Sequence, residues 1–225
     1  MTPLIRLVDD DDNYRSSQSL FLRMLGWQVA DYPSASAFLN DDDLGRPGCL
    51  ILDIRMPGMT GLELQRELIE RGAKLPIIFL TGHGDVAAAV HALKFGAADF
   101  IEKRGDPLVF KAAVEKAVAL SVSIVNKAIS DAERRAVFDE LTPREKDVVL
   151  AAALGASNKD IGERYGIGLA TVKMHRGNAF AKLGVQNALE AYHRLSGLGL
   201  FEGESDGEGE NDRNAVHPEH GGGRS

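Results

Sequence analysis

Three carboxylates, a hydroxyl and an ammonium stand where short apolar runs of this chain end. Leu7-Val8 runs into Asp9 and Asp10, Leu50-Ile51-Leu52 into Asp53, Leu80 into Thr81, and Phe100-Ile101 into Glu102 and Lys103. If those runs are parallel strands, their carboxyl ends share one edge of a sheet, and ligands bind there at the topological switch point. Such a set suits a hard divalent cation: Mg²⁺ takes oxygen ligands, keeps several waters and bridges carboxylates to phosphate. An aspartate placed there can attack phosphorus and form an aspartyl phosphate. The cation and the lysine would offset charge on the transferring group. Singly, each feature is ordinary, since acidic runs are often solvated, a threonine often caps a helix and a lysine often points to water. Their joint placement carries the signal.

The elements that must position these groups are legible as alternating periods. Over residues 1–120, apolar runs at Leu4–Val8, Val29-Ala30, Leu50–Leu52, Ile77–Leu80 and Phe100-Ile101 alternate with helical patterns. The first helix shows Leu20, Phe21, Met24 and Leu25; the fourth shows Val86, Ala89, Val90 and Leu93; the fifth shows Phe110, Ala113, Val114, Ala117 and Val118. Strand-helix units in series imply a parallel sheet covered by helices on both faces. No proline or glycine occurs from Leu108 to Leu141, so the fifth helix can run on. Val118, Val122, Val125, Ile129, Ala132 and Ala136 then trace an a/d seam, suited either to a coiled coil or to packing on its own domain.

A second compact region opens at Thr142-Pro143-Arg144-Glu145, which has a cap, a first-turn proline and the acid of a capping box. Ser157-Asn158-Lys159-Asp160 repeats the logic, Gly166-Ile167-Gly168 breaks the chain, and helical patterns follow over Leu169–Leu183 and Asn187–Leu195. Such short helices must pack on one another. Residues 201–225, rich in Gly, Glu and Asp, are expected to be disordered.

The chain has 225 residues and a net charge of -7, a length that favours two domains. Evenly spread, that charge would exclude coating of nucleic acid or anionic membrane. It is not evenly spread. Residues 141–200 hold eight basic against five acidic side chains, or +3, while residues 201–225 hold two against seven, or -5. Cys49 is the one cysteine, which excludes an intrachain disulfide and fits a reducing compartment. The longest apolar run, Val148–Leu154, is far short of the roughly 20 residues of a membrane span, and neither leader nor anchor is expected. The cytoplasm is the expected location.

Asp53-Ile54-Arg55-Met56-Pro57-Gly58-Met59 and Thr81-Gly82-His83-Gly84-Asp85 make residues 1–120 resemble the receiver domain of two-component response regulators, in particular the FixJ branch. The resemblance implies a flavodoxin-like, doubly wound α/β fold with a parallel five-stranded sheet. It implies Asp53 as phosphoacceptor, with Mg²⁺ held by Asp9, Asp10, Asp53 and the backbone carbonyl of Arg55. It implies that Thr81 and Lys103 engage the phosphoryl group, that Phe100 turns inward as Thr81 moves, and that a histidine kinase is the donor. Dimers would form on the face of the fourth helix, fifth strand and fifth helix. One departure is Arg104, where the family usually has a proline after a cis bond; a trans bond or a strained loop is expected here. Haloacid dehalogenase-type phosphohydrolases also use an aspartate nucleophile, with a second aspartate two residues on. Arg55 stands at that position, so slow loss of phosphate is expected and enzymatic turnover is not.

Leu141-Thr142-Pro143-Arg144-Glu145, Ser157-Asn158-Lys159-Asp160-Ile161 and Thr171-Val172-Lys173-Met174-His175-Arg176 resemble the LuxR-type helix-turn-helix, an all-α four-helix domain. Lys173, Met174 and Gly177 would then face base edges, while Asn158, Lys159, Thr171, Arg176 and Lys182 would contact phosphate. His175 is equally readable as a core residue. Expected domains are thus a receiver over 1–120, a helical linker over 121–140, a DNA-binding domain over 141–200 and a tail over 201–225. The implied function is a phosphorylation-controlled, dimerising regulator of promoter DNA. A phosphorylation-independent adaptor with a degenerate receiver is the alternative. The tail is read as a solvating end, or else as a competitor with DNA for the basic face.

Overall fold

A computed structural model describes residues 2–82 and 92–201. The chain divides into two compact units, Met1–Ser130 and Asp131–Ser225. The first holds β1 (Leu4–Val8), α1 (Asp12–Met24), β2 (Gln28–Tyr32), α2 (Ala35–Asp41), β3 (Gly48–Asp53), α3 (Gly61–Glu70), β4 (Ile77–Thr81) and β5 (Asp99–Glu102). The strands form one parallel sheet in the order β2-β1-β3-β4-β5. Strand order reverses between β1 and β3, where Val8 pairs with Leu52, so the residues after them, Asp9 and Asp53, share the switch-point crevice.

The central strands β1, β3 and β4 are buried almost throughout, which is why they read as continuous apolar runs. Ile5, Leu7, Cys49, Ile51, Ile78 and Leu80 meet Leu22 of α1 and Phe110, Val114 and Val118 of α4 (Pro107–Asp139) on one face. Val8, Leu50, Leu52 and Phe79 meet Phe38 of α2 and Leu64 and Leu68 of α3 on the other. Burial of Cys49 pushes its thiol up to about 12, which makes it an inert core residue.

The inward face of α1 differs from the expected one. Leu20 and Met24 are 61% and 79% exposed, whereas Leu22 and Ser19 are buried with Phe21 and Tyr14 packed beside the core. Ser19 shares the inner side with Leu22, and of the expected apolar stripe Leu20, Phe21, Met24 and Leu25 only Phe21 packs against the core. Of the fourth helical pattern, Val86, Ala89 and Val90 lie outside the described residues, as does the tail beyond Phe201; Leu93 is half exposed.

Without proline or glycine to stop it, α4 runs 33 residues, and the division between the units falls within it. Of its a/d seam, Val118 is buried and Val122 packs beside the core, but Ile129 is 53% exposed and Ala132 and Ala136 are exposed. The second unit contains α5 (Pro143–Ala153), α6 (Asn158–Tyr165), α7 (Leu169–Leu183) and α8 (Ala188–Leu195). Their cores join Phe138, Val149, Phe180, Leu183 and Leu195, and beside them Val148, Ile161 and Val172. Thr142 and Glu145 close the expected capping box on α5, and Gly166 takes φ +65 in the turn before α7. Among the described residues, no helix is long and apolar enough to cross a membrane.

One charged residue is enclosed in the first unit. Arg6 has no exposed surface; its Nε donates to Asp42 Oδ2 at 2.6 Å and its Nη2 to the carbonyls of Asp43 and Arg46. Tyr32 donates to the other Asp42 oxygen at 3.0 Å. Removing one partner of such a pair leaves a buried charge unbalanced. Arg6→Met is expected to destabilise the first unit by about 3–5 kcal/mol. Urea unfolding followed by Trp27, the single tryptophan, reports this unit and checks the value.

Candidate functional site

The two loops after β1 and β3 bring together the predicted carboxylates. Asp9 is fully buried and its Oδ1 accepts from the Asp11 amide at 2.9 Å, while Asp11 itself caps α1. Asp53 is 5% exposed, and its Oδ1 accepts from the Ile54 amide at 2.9 Å. Asp10 is exposed, and ligand oxygens of Asp9, Asp10 and Asp53 all lie within 4.8 Å of one another. Arg55, two residues past Asp53, has an exposed side chain.

Lys103 reaches this cluster from the end of β5. Its ammonium is 2.8 Å from Asp9 Oδ2 and 3.2 Å from Asp53 Oδ2. The Lys103 amide donates to the Thr81 carbonyl at 2.8 Å, which ties the ends of β4 and β5 together. The bond to Arg104 is trans, and Lys103 still reaches both aspartates. Thr81 is buried and its hydroxyl donates to the Gly82 carbonyl. Phe100 is half-buried with its ring 6.5 Å from that of Phe79, on the side of the sheet covered by α2 and α3.

Burial is the main influence on Asp53 and holds its carboxyl above the ordinary 3.8; Asp9 acts the same way, and Lys103 partly counters both. Burial also works against the Lys103 charge, yet the two aspartates outweigh it and raise the ammonium above 10.5. Three carboxylates against one ammonium leave excess negative charge. Asp9 Oδ2 is buried and meets the Lys103 ammonium at 2.8 Å. An oxygen-rich cluster with surplus negative charge fits Mg²⁺.

Two positioning residues escaped the sequence reading. Gly61 opens α3 directly under the nucleophile candidate: a Cβ there would lie 2.2 Å from the Asp53 carbonyl oxygen, so only glycine fits. Tyr14 lies under the Lys103 ammonium, 4.9 Å from ring centroid to nitrogen, and burial first, then Asp9 and Asp53, push its phenol pKa up. Tyr14, Thr81, Lys103 and Arg104 line a crevice of about 440 Å³ beside the cluster. Only the run Gly58 to Gly61 hinted at close backbone approach, and nothing marked Tyr14.

In the second unit α7 presents Lys173, Met174 and Gly177 outward, while Val172, Ala179 and Leu183 face the core. Thr171, His175 and Arg176 are half-buried. Asn158 Oδ1 accepts from Arg176 at 2.9 Å and the guanidinium lies over Phe180, so α6 and α7 hold this arginine between them. Lys159 is exposed near Glu163. Lys182 has a structural partner that the sequence reading did not anticipate: its ammonium is 2.6 Å from Oε2 of Glu145, whose residue is 4% exposed. The same oxygen accepts from the Thr142 amide, so Lys182 supports the capping box of α5.

Residues 5–115 match the family described as Response regulator receiver domain, and residues 139–195 match Bacterial regulatory proteins, luxR family. The chain is 40% identical to Response regulator protein TmoT of Ectopseudomonas mendocina over 85% of its own length and 89% of that protein. It is 40% identical to Transcriptional regulatory protein FixJ of Azorhizobium caulinodans, over 80% of this chain and 85% of that one. Among solved structures, that of response regulator StyR superposes with a TM-score of 0.75 at 35% identity, covering 87% of this chain and 98% of that chain.

The crowding of Asp53 has a measurable consequence. Its pKa is raised on folding, so between the unfolded and folded values the native chain holds more protons, and stability falls as pH rises through that window. Above it, the charged carboxylate keeps destabilising the fold. Asp53→Asn is therefore expected to raise the urea midpoint reported by Trp27 at pH 7 without divalent cations. The gain should vanish at pH values below the ordinary carboxylate range. Saturating Mg²⁺ should reverse the order of the two proteins.

Proposed function

As the chain belongs to the transcriptional response regulators that join a receiver domain to a luxR-family domain, we propose that Asp53 accepts phosphate from a histidine kinase and thereby controls dimerisation and promoter binding. The observation that carries this reading is the Asp9–Lys103–Asp53 bracket at the switch point of the sheet. An Asp53 oxygen attacks the phosphorus of a phosphohistidine; the new P–O bond forms as the P–N bond breaks, and the imidazole leaves. Asp9, Asp10 and Asp53, with the Arg55 backbone carbonyl, would hold Mg²⁺, which when bound supplies charge neutralisation at the phosphoryl oxygens.

Lys103 is already within ion-pair reach of Asp53, and its charge meets the phosphoryl group without a large movement. The Thr81 hydroxyl, bonded to Gly82, exchanges that partner for a phosphoryl oxygen. Phe100 then follows toward the space Thr81 leaves, and the change reaches the face where two copies pair. Arg55 offers no carboxylate to take the proton of a water attacking the acyl phosphate, so the phosphoryl group is lost slowly and the protein acts as a switch rather than as an enzyme. The compartment is the cytoplasm, where kinase domain and DNA are both reachable.

On DNA, α7 enters the major groove. Lys173 and Met174 meet base edges and Gly177 lets the helix lie close. Asn158, Lys159, Thr171 and Arg176 contact phosphate, with Arg176 preset by Asn158; Lys182 contributes its charge while bound to Glu145. Selecting DNA from a random pool with and without a small phosphodonor tests the whole reading. A defined motif, enriched further by the phosphodonor, is expected; recovery of no motif in either case overturns it. On the selected site, Lys173→Ala should relax preference at one base pair. Lys159→Ala should weaken all sequences alike and reduce the salt slope by about 1.

A further inference from the structure

The domain that reads DNA is followed by a segment with the charge pattern of a nucleic-acid strand. Beyond Phe201 the chain places Glu202, Glu204, Asp206, Glu208, Glu210 and Asp212 at every second position, with only Gly, Ser or Asn between them. An extended chain advances about 6.6–6.8 Å every two residues and turns alternate side chains to one side. All six carboxylates can then line one edge at a step comparable with that between neighbouring phosphates on one DNA strand. A solvating tail needs net charge but no such alternation. The small residues between the acids keep the opposite edge free of bulk.

The complementary surface is on the same unit. Lys159, Lys173 and Lys182 are exposed on α6 and α7, and Lys173 has no acidic partner among the described residues. Residues 141–200 carry +3 and residues 201–225 carry -5, so the two are opposite in sign. Phe201 fixes where the segment begins: its ring stacks on Tyr192 at 5.3 Å and packs against the core that holds Phe180 and Leu183 of α7. Reach is ample. The run Glu202 to Asp212 can span about 36 Å at about 3.3 Å per residue, against a radius of gyration near 11 Å for a unit of this size.

We propose that residues Glu202 to Asp212 are an internal DNA mimic that occupies the phosphate-contacting face of α6 and α7 and must be displaced by a DNA site. Tethering gives the segment a millimolar effective concentration, enough for a weak contact to compete. Displacing the tail costs the same free energy at every DNA site, so at a given concentration weak non-specific DNA is left largely unbound while a tight specific site stays filled. The tail thus restricts occupancy to tight sites. This inference rests on the second unit being the DNA reader.

The test compares the full chain with three variants: one ending at Phe201, one with the six acids changed to Gln or Asn, and one with the same residues reordered so that the acids are contiguous. Binding to the selected DNA and to random-sequence DNA is measured at low and high salt. Truncation and neutralisation should each tighten random-sequence binding by about tenfold at low salt and have little effect at high salt. The reordered tail should fall well short of the natural one in restoring competition. A peptide of residues 202–212, added to the truncated chain, should displace random DNA and protect Lys173 from amine labelling. Equal affinity of all four proteins overturns the proposal. Full inhibition by the reordered tail also overturns it, because spacing is then not read. If no variant binds any DNA, the DNA-reading function itself has failed.

Discussion

Two carboxylates buried side by side at the end of a sheet set the terms for the first unit. The charges of Asp9 and Asp53 repel each other there, and the Lys103 ammonium at 2.8 and 3.2 Å offsets that repulsion. That requirement explains the surrounding construction. The Lys103 amide is tied to the Thr81 carbonyl, so the ends of β4 and β5 move together. Tyr14 supports the ammonium from below, and Gly61 lets α3 start against the backbone of Asp53. A phosphoryl group would enter where compensation is incomplete, which makes the site responsive to it.

Beta3 extends this logic through the core. At one end it holds Asp53; at the other the Gly48 amide donates to Ser121 Oγ, buried on α4. The helix that anchors the start of this strand is the one that continues toward the second unit. In that unit charge is used differently. The lysines and Arg176 of α6 and α7 stand at a surface, and two of them, Arg176 and Lys182, are set in place by polar partners on other helices.

Much of this was legible from residue types and periods. Continuous apolar runs marked β1, β3 and β4 because those strands are buried on both faces, and the groups just past them were therefore found at the crevice. Capping boxes placed α5 and α6 because caps are local, and the glycines at 166 and 168 marked the break before α7. What depended on distant contacts was not legible. Lys182 meets Glu145 across 37 positions, and Gly61 matters only because α3 folds back on Asp53. The inward stripe of α1 was misread because its buried side mixes Ser19 with Leu22, and polar residues at a tight interface leave no apolar period.

The central claim is that Asp53 is the nucleophile of this switch. It is tested most directly by treating the chain with Mg²⁺ and a small phosphodonor, trapping the acyl phosphate by borohydride reduction, and locating the altered residue by peptide mass. A single change at Asp53, dependent on Mg²⁺ and lost in Lys103→Ala, is the predicted result. A native, folded chain with Asp53 unmodified, or with label only at another residue, would contradict the account.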